Sequence, residues 1–194
     1  MNPILECLRE ELARPAASPL LAPAAHPGPV VVAALQPVVL ALSELLASAR
    51  LAEDEVPYGR YLAHLDEEGR YNLQWDVFSP HYTGGIHAHG TWGAFFVLRG
   101  TLYAEDFAAE TDETGFALLR TSVHAAGSAA GFAPPEDWHR VSTRGGPQVM
   151  SLHLYGPGFD LDSGVALDHA GRPAVYTRGP LRDISALQGL LSWS

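Results

Sequence analysis

The stretch GGIHAHGTWGAFFVLRG, residues 84–100, places two histidines one residue apart between a glycine pair and an apolar run. Ala94-Phe95-Phe96-Val97-Leu98 reads as a strand, and successive strand side chains point to opposite faces. With that alternation, His87 and His89 face one way and Ala88 the other. Two imidazoles converging on one face form half of a metal site; hydrogen-bonded or surface histidines are the other reading of the pair alone.

The texture around this stretch is that of an all-β domain. From Tyr58 onward, short β-prone runs are separated by Gly, Pro, Asp and Ser, at 58–65, 71–79, 84–89, 93–104, 116–122, 128–132, 139–143 and 147–155. Many short strands at close spacing predict an antiparallel sandwich or barrel. Upstream, 3–14 carries Ile4, Leu8 and Leu12 on one helical stripe, and an Ala/Pro-rich connector follows. The apolar stretch from Val30 to Leu51 approaches the length of a membrane span. It contains Gln36, Pro37, Ser43 and Glu44, which predicts instead a packed helix starting after Pro37 and ending near Ala52. The expectation is one domain over 1–194: a helical segment to residue 55, a barrel core over 56–160, and a C-terminal wrap over 161–194.

Bulk composition excludes several classes. The net charge of −10, with no run of basic residues, argues against nucleic acid as a partner. The lone cysteine, Cys7, rules out an intrachain disulfide. The start MNPILECLREEL lacks the basic region and apolar core of a secretory signal. No membrane association and a cytoplasmic location are expected.

A third histidine, His139, opens a strand after the turn Pro134-Pro135-Glu136-Asp137, 50 residues beyond His89. Further on, Ser151, His153 and Tyr155 alternate along one strand and share a face. They form either the wet side of a strand or an internal file passing a hydrogen bond from hydroxyl to imidazole to phenol. Tyr58 and Arg60 likewise share a strand face. An inward guanidinium needs a buried anion, which a substrate carboxylate would provide; a solvated surface arginine is the bland reading.

The HxH pair and the later histidine have the spacing of a cupin, a double-stranded β-helix or jelly-roll barrel. Within that superfamily the chain resembles the cysteine dioxygenases, a family of thiol dioxygenases, over residues 56 to 160. The resemblance rests on YGRYL, IHAHGTWG, DWHRV and SLHLYGPG. It implies an Fe(II) site held by His87, His89 and His139, where a small thiol and O2 combine to a sulfinic acid. It further implies that Tyr155, positioned by His153 and Ser151, serves the reaction, and that Arg60 with Tyr58 binds substrate. Arginine at position 60 goes with cysteine-type substrates in the family, while TWG resembles the 3-mercaptopropionate branch.

The departures are specific. Many cupins add a glutamate four or five residues after the second histidine; here these positions are Gly93 and Ala94. Three neutral imidazoles leave a divalent ion its full charge and favour an anionic ligand such as a thiolate, but do not choose among Fe, Zn, Cu and Ni. The cysteine that animal cysteine dioxygenases crosslink to the strand tyrosine is absent, and the usual Asp between the histidines is Ala88. His26, His64, His81, His124 and His169 are expected to be structural or solvated. A cupin of other metal chemistry and a non-catalytic binding cupin are the alternative readings.

Overall fold

The protein is described by a computed structural model covering residues 28–47, 49–51, 58–109, 116–135, 137–188 and 191–193. The helix expected over 3–14 lies outside these residues.

Eight strands make the core: β3 (Asn72–Phe78), β4 (His87–Ala88), β5 (Gly93–Arg99), β6 (Thr101–Ala109), β7 (Phe116–Ala125), β8 (Ala129–Phe132), β9 (His139–Ser142) and β10 (Val149–Tyr155). They are distributed over two sheets as β3-β10-β5-β8 and β4-β9-β6-β7, with antiparallel pairing throughout. This is jelly-roll strand order, so the expected mainly β double-stranded β-helix is present. Each sheet is extended to six strands. To the first, β2 (Gly59–Leu65) and β13 (Leu181–Asp183) add beyond β3; to the second, β11 (Ser163–Leu167) and β12 (Pro173–Thr177) add beyond β4. The short helix α2 (Ile184–Gln188) follows β13, and β1 (Ala49–Leu51) pairs with β14 (Leu191–Trp193). The segment expected to wrap the barrel thus supplies sheet edges.

Three boundaries differ from the sequence expectation. The helix, α1, runs from Gly28 to Ala47 with Pro37 inside it, rather than from beyond Pro37 to Ala52. Proline costs a helix one hydrogen bond and a steric clash, but Leu35, Val39 and Leu46 are buried to 2% exposure or less against the first sheet. Burying three large aliphatic side chains contributes roughly 1.5–3 kcal/mol each, which outweighs that cost. The run 93–104 is two strands, because the chain reverses at Gly100, whose φ of 79° suits glycine. The strand expected over 84–89 pairs only at His87 and Ala88.

The two sheets bury themselves unequally. Every residue of β3 and β10 is buried, as expected for central strands covered on both faces. The apolar side packs Trp75, Phe96, Leu152 and Leu154 under α1. The other side faces the barrel interior, and there β10 carries Ser151, His153 and Tyr155. Among the described residues, no helix is long and apolar enough to cross a membrane.

Candidate metal centre

His87, His89 and His139 are brought together inside the barrel, with one ring nitrogen of each within 4.8 Å of the others. The strands responsible are β4 and β9, which pair through the single register match His87↔His139. The ring orientations are fixed from behind. His87 Nδ1 lies 3.0 Å from the Gly85 carbonyl and His139 Nδ1 lies 2.7 Å from the Asp137 carbonyl. A carbonyl can only accept, so Nδ1 carries the proton in both rings and Nε2 keeps its lone pair for the centre. His89 Nδ1 is buried and has no hydrogen-bonding partner among the described residues.

Burial is the main cause holding all three imidazoles neutral. It pushes His87 down to about 3, helped by the neighbouring His139, and depresses His89 and His139 as well. Neutral, convergent imidazoles are the form a transition metal takes. The donor set therefore fits a divalent ion with open coordination positions. Among the described residues, no carboxylate joins the cluster. At Gly93, one of the positions where many cupins carry that carboxylate, an added Cβ would overlap the Phe132 ring. Phe132, on β8, also packs against His89 and His139, with ring centroids at 5.0 and 5.3 Å. An aromatic ring thus fills the space a glutamate at position 93 would need.

Ser151, His153 and Tyr155 form a connected file: Ser151 Oγ lies 2.7 Å from His153 Nε2, and His153 Nδ1 lies 3.1 Å from the Tyr155 hydroxyl. Its phenol end packs on His89, with centroids 4.8 Å apart. Phe159 stacks on Tyr155 at 3.9 Å, and the Arg178 guanidinium sits over Phe159. Burial raises the Tyr155 phenol and lowers the His153 imidazole, so both are neutral in the file.

His87, His89, His139, Phe132, His153 and Tyr155 line one cavity of about 270 Å³, slightly below the roughly 300–1,000 Å³ of drug-sized ligand sites. Arg60 lines it too and is 4% exposed. Four of its five N–H groups are engaged: Nε and Nη2 donate to Gln74 Oε1, and Nη1 donates to the carbonyls of Leu161 and Gly179. Tyr58 donates to Asp76 Oδ2 at 3.3 Å, and the same oxygen is 3.8 Å from His153 Nε2. The other oxygen, Asp76 Oδ1, is buried without a hydrogen-bonding partner among the described residues.

Three site residues went unread in the sequence: Asp76, Asp137 and Arg178. Arg178 follows β12, in the C-terminal segment, and lines the same cavity. Its Nε donates to the carbonyls of Asp160 and Ser163, and Nη1 donates to the Tyr176 hydroxyl. The remaining N–H groups, including both on Nη2, have no hydrogen-bonding partner among the described residues. The other histidines stay out of the cluster. His124 bonds Ser122 and sits edge-on to Phe95, His64 packs against Tyr71, and His81 and His169 are exposed. His26 lies outside the described residues.

No family model matches the chain. Among solved structures, it is similar to a cupin superfamily protein from Desulfitobacterium hafniense (7% identity, 54% of this chain and 82% of that one, TM-score 0.42). It is also similar to an RmlC-like cupin from Ralstonia eutropha (13% identity, 62% and 73% covered, TM-score 0.43). A third is the hydroquinone 1,2-dioxygenase of Sphingomonas sp. TTNP3 (13% identity, 55% and 70% covered, TM-score 0.43). These likenesses are distant, and the chemistry open to this chain follows from its own residues.

Proposed function

We propose that the protein is an Fe(II)-dependent thiol dioxygenase that converts a small carboxylate-bearing thiol, L-cysteine foremost, to its sulfinic acid: RSH + O2 → RSO2H. The observation that carries this reading is the buried Ser151–His153–Tyr155 file ending against His89. A polar file costs stability inside a barrel unless it serves what binds there. His87, His89 and His139 would hold the iron. When bound, iron supplies a positive centre for the thiolate and the redox chemistry that adds both oxygen atoms to sulfur.

The chain's own residues bind, orient and manage protons. His153 has two tautomers that the file accommodates. In one, Tyr155 donates to Nδ1 and Nε2–H donates to Ser151. In the other, Nδ1–H donates to the phenol oxygen, Ser151 donates to Nε2, and the Tyr155 O–H turns into the cavity as a donor to substrate. The stack of Phe159 and Arg178 over Tyr155 keeps the phenol in place and narrows access to water.

The substrate carboxylate falls to the arginines. Arg60, the anchor implied by the resemblance, has one N–H left, so a two-point clamp by Arg60 alone would displace Gln74. Arg178 keeps more donors and lines the same cavity, which supports a shared anchor with Arg178 as the stronger partner. Asp76, in register with Arg60 on the adjacent strand, supplies a negative charge that suits a substrate ammonium and favours L-cysteine over 3-mercaptopropionate.

The test is O2 consumption by Fe(II)-loaded protein across cysteine, 3-mercaptopropionate, mercaptosuccinate and cysteamine, with products read by mass. A gain of two oxygen atoms on a carboxylate-bearing thiol is expected. No thiol-dependent O2 uptake by iron-replete protein would return the site to a cupin of other chemistry or to a binding protein.

A further inference from the structure

We infer that Asp137 is the positioning residue that sets the geometry between the two ligand-bearing segments; the inference rests on the metal site of the preceding reading. Asp137 is 5% exposed and reaches both segments at once. One carboxylate oxygen, Oδ2, accepts the backbone N–H groups of His89 at 2.9 Å and Gly90 at 2.8 Å. Its own carbonyl accepts Nδ1–H of His139 at 2.7 Å. A single residue therefore fixes the backbone of one ligand and the tautomer of another.

The strands do not do this. β4 pairs with its neighbours only through His87 and Ala88, so His89 stands beyond the end of the ladder. The next residue, Gly90, has φ of 70° and turns the chain away, presenting two consecutive amides to one point. An ionised carboxylate is the strongest side-chain acceptor for such a pair. On its other side, the segment is tied to the sheet by Phe107 N–H donating to the Trp138 carbonyl. Asp137 thus stands between a fixed strand and the one metal ligand that no ladder bond holds.

The experiment is Co(II) titration of the purified full chain, reading the dissociation constant and the visible absorption band, which reports ligand geometry. The comparison variants are Asp137→Ala, Asp137→Asn and Asp66→Ala. Asp66 is a matched control, because it accepts the backbone amides of Glu68 and Arg70 at a hairpin outside the metal cluster. Outer partners of metal ligands are typically worth 10- to 100-fold in affinity. Asp137→Ala should weaken Co(II) by about that factor and alter the band. Asp137→Asn, which keeps an acceptor oxygen but loses its charge, should recover part of the loss and stay measurably weaker than wild type. Asp66→Ala should lower the melting temperature and leave Co(II) affinity unchanged.

The inference is overturned if Asp137→Ala binds within about twofold of wild type, or if Asp66→Ala loses as much affinity. Should Asp137→Ala fail to fold, Asp137→Asn decides: an affinity and band identical to wild type overturn the inference, and a weaker, shifted site supports it. Wild-type protein that binds neither Co(II) nor Fe(II) removes the metal reading itself, and the inference with it.

Discussion

The two walls of the cavity are built on opposite principles. The wall bearing Ser151, His153 and Tyr155 is β10, seven residues long, paired over its length with β3 and along β5, and buried throughout. The wall bearing the ligands is β4 and β9, two and four residues long, meeting at one register pair. Long ladders fix side-chain direction by alternation alone. Short ones leave the direction to individual hydrogen bonds, here from Gly85 and Asp137. Rigidity by sheet and rigidity by bracket should respond differently to substitution.

The largest effect is expected on the short-strand wall. His139→Ala removes one of three ligands and leaves the backbone pairing of β9 with His87 in place. Metal analysis of protein purified from cells grown with iron should show near-complete loss, while circular dichroism retains the strand signal. His124→Ala and His169→Ala should keep wild-type metal content. Equal loss at His124 would mean that the described cluster is not where metal binds.

Next in size is the carboxylate anchor, which contrasts a loop residue with a strand residue. Losing a charge-assisted contact in an enclosed site costs roughly 2–4 kcal/mol, about 30- to 1,000-fold in kcat/KM. Arg178→Gln should lose that much on carboxylate-bearing thiols and little on cysteamine, with a smaller drop in Tm than Arg60→Gln, because its bonds to the Asp160 and Ser163 carbonyls lie nearer the surface. Arg60→Gln should lose activity and also stability, because the carbonyls of Leu161 and Gly179 lose their donor. If cysteine turns over at the wild-type rate in both variants, the arginines are structural.

How far the site was legible follows the same division. Alternation along a strand is visible in sequence, so His87 with His89, and Ser151 with His153 and Tyr155, could be paired to faces without a structure. His139 could be read because it opens a strand after a proline turn. Asp137 could not, since a turn aspartate before a strand is commonplace and its amide partners lie 47 and 48 residues away. Arg178 was hidden in a segment whose strands pair only at sheet edges, where composition says nothing about what points inward. The helix through Pro37 escaped because burial of Leu35, Val39 and Leu46 overrides a local rule. What stayed unread were contacts made by hydrogen bonds across the fold rather than by periodicity.

On the long-strand wall, Tyr155→Phe deletes one hydroxyl and little volume. Metal content and Tm should hold, because β10 keeps its ladder on both sides. Turnover should fall by roughly 10-fold or more if the hydroxyl stabilises developing charge on the substrate. Single-turnover O2 consumption measures this, and a rate equal to wild type would leave Tyr155 a packed strand residue.

The smallest effect is expected where a bracket sits on a wall that already has a long ladder. Asp66, at the β2–β3 hairpin, accepts the amides of Glu68 and Arg70 and pairs with the Arg70 guanidinium. This is the same kind of bond that Asp137 makes, but β2 and β3 are held in register from Gly59↔Val77 to Leu65↔Asn72 without it. Asp66→Asn keeps an acceptor and loses an ion pair whose arginine is 44% exposed, so the cost should be under about 1 kcal/mol, or no more than roughly 2–4 °C in Tm. The pH dependence has a definite sign. Hydrogen bonds from Arg70 hold the Asp66 carboxyl down at about 2, below its ordinary 3.8. A carboxyl lowered on folding stabilises the fold above its unfolded value, and the contribution is lost as pH falls from there toward the folded value. Thermal melts should therefore show the gap between wild type and Asp66→Asn at pH 7 and a smaller one near pH 3. A gap at pH 7 as large as that of Asp137→Asn would erase the distinction between the two walls, because a bracket would then matter equally with and without a ladder beneath it.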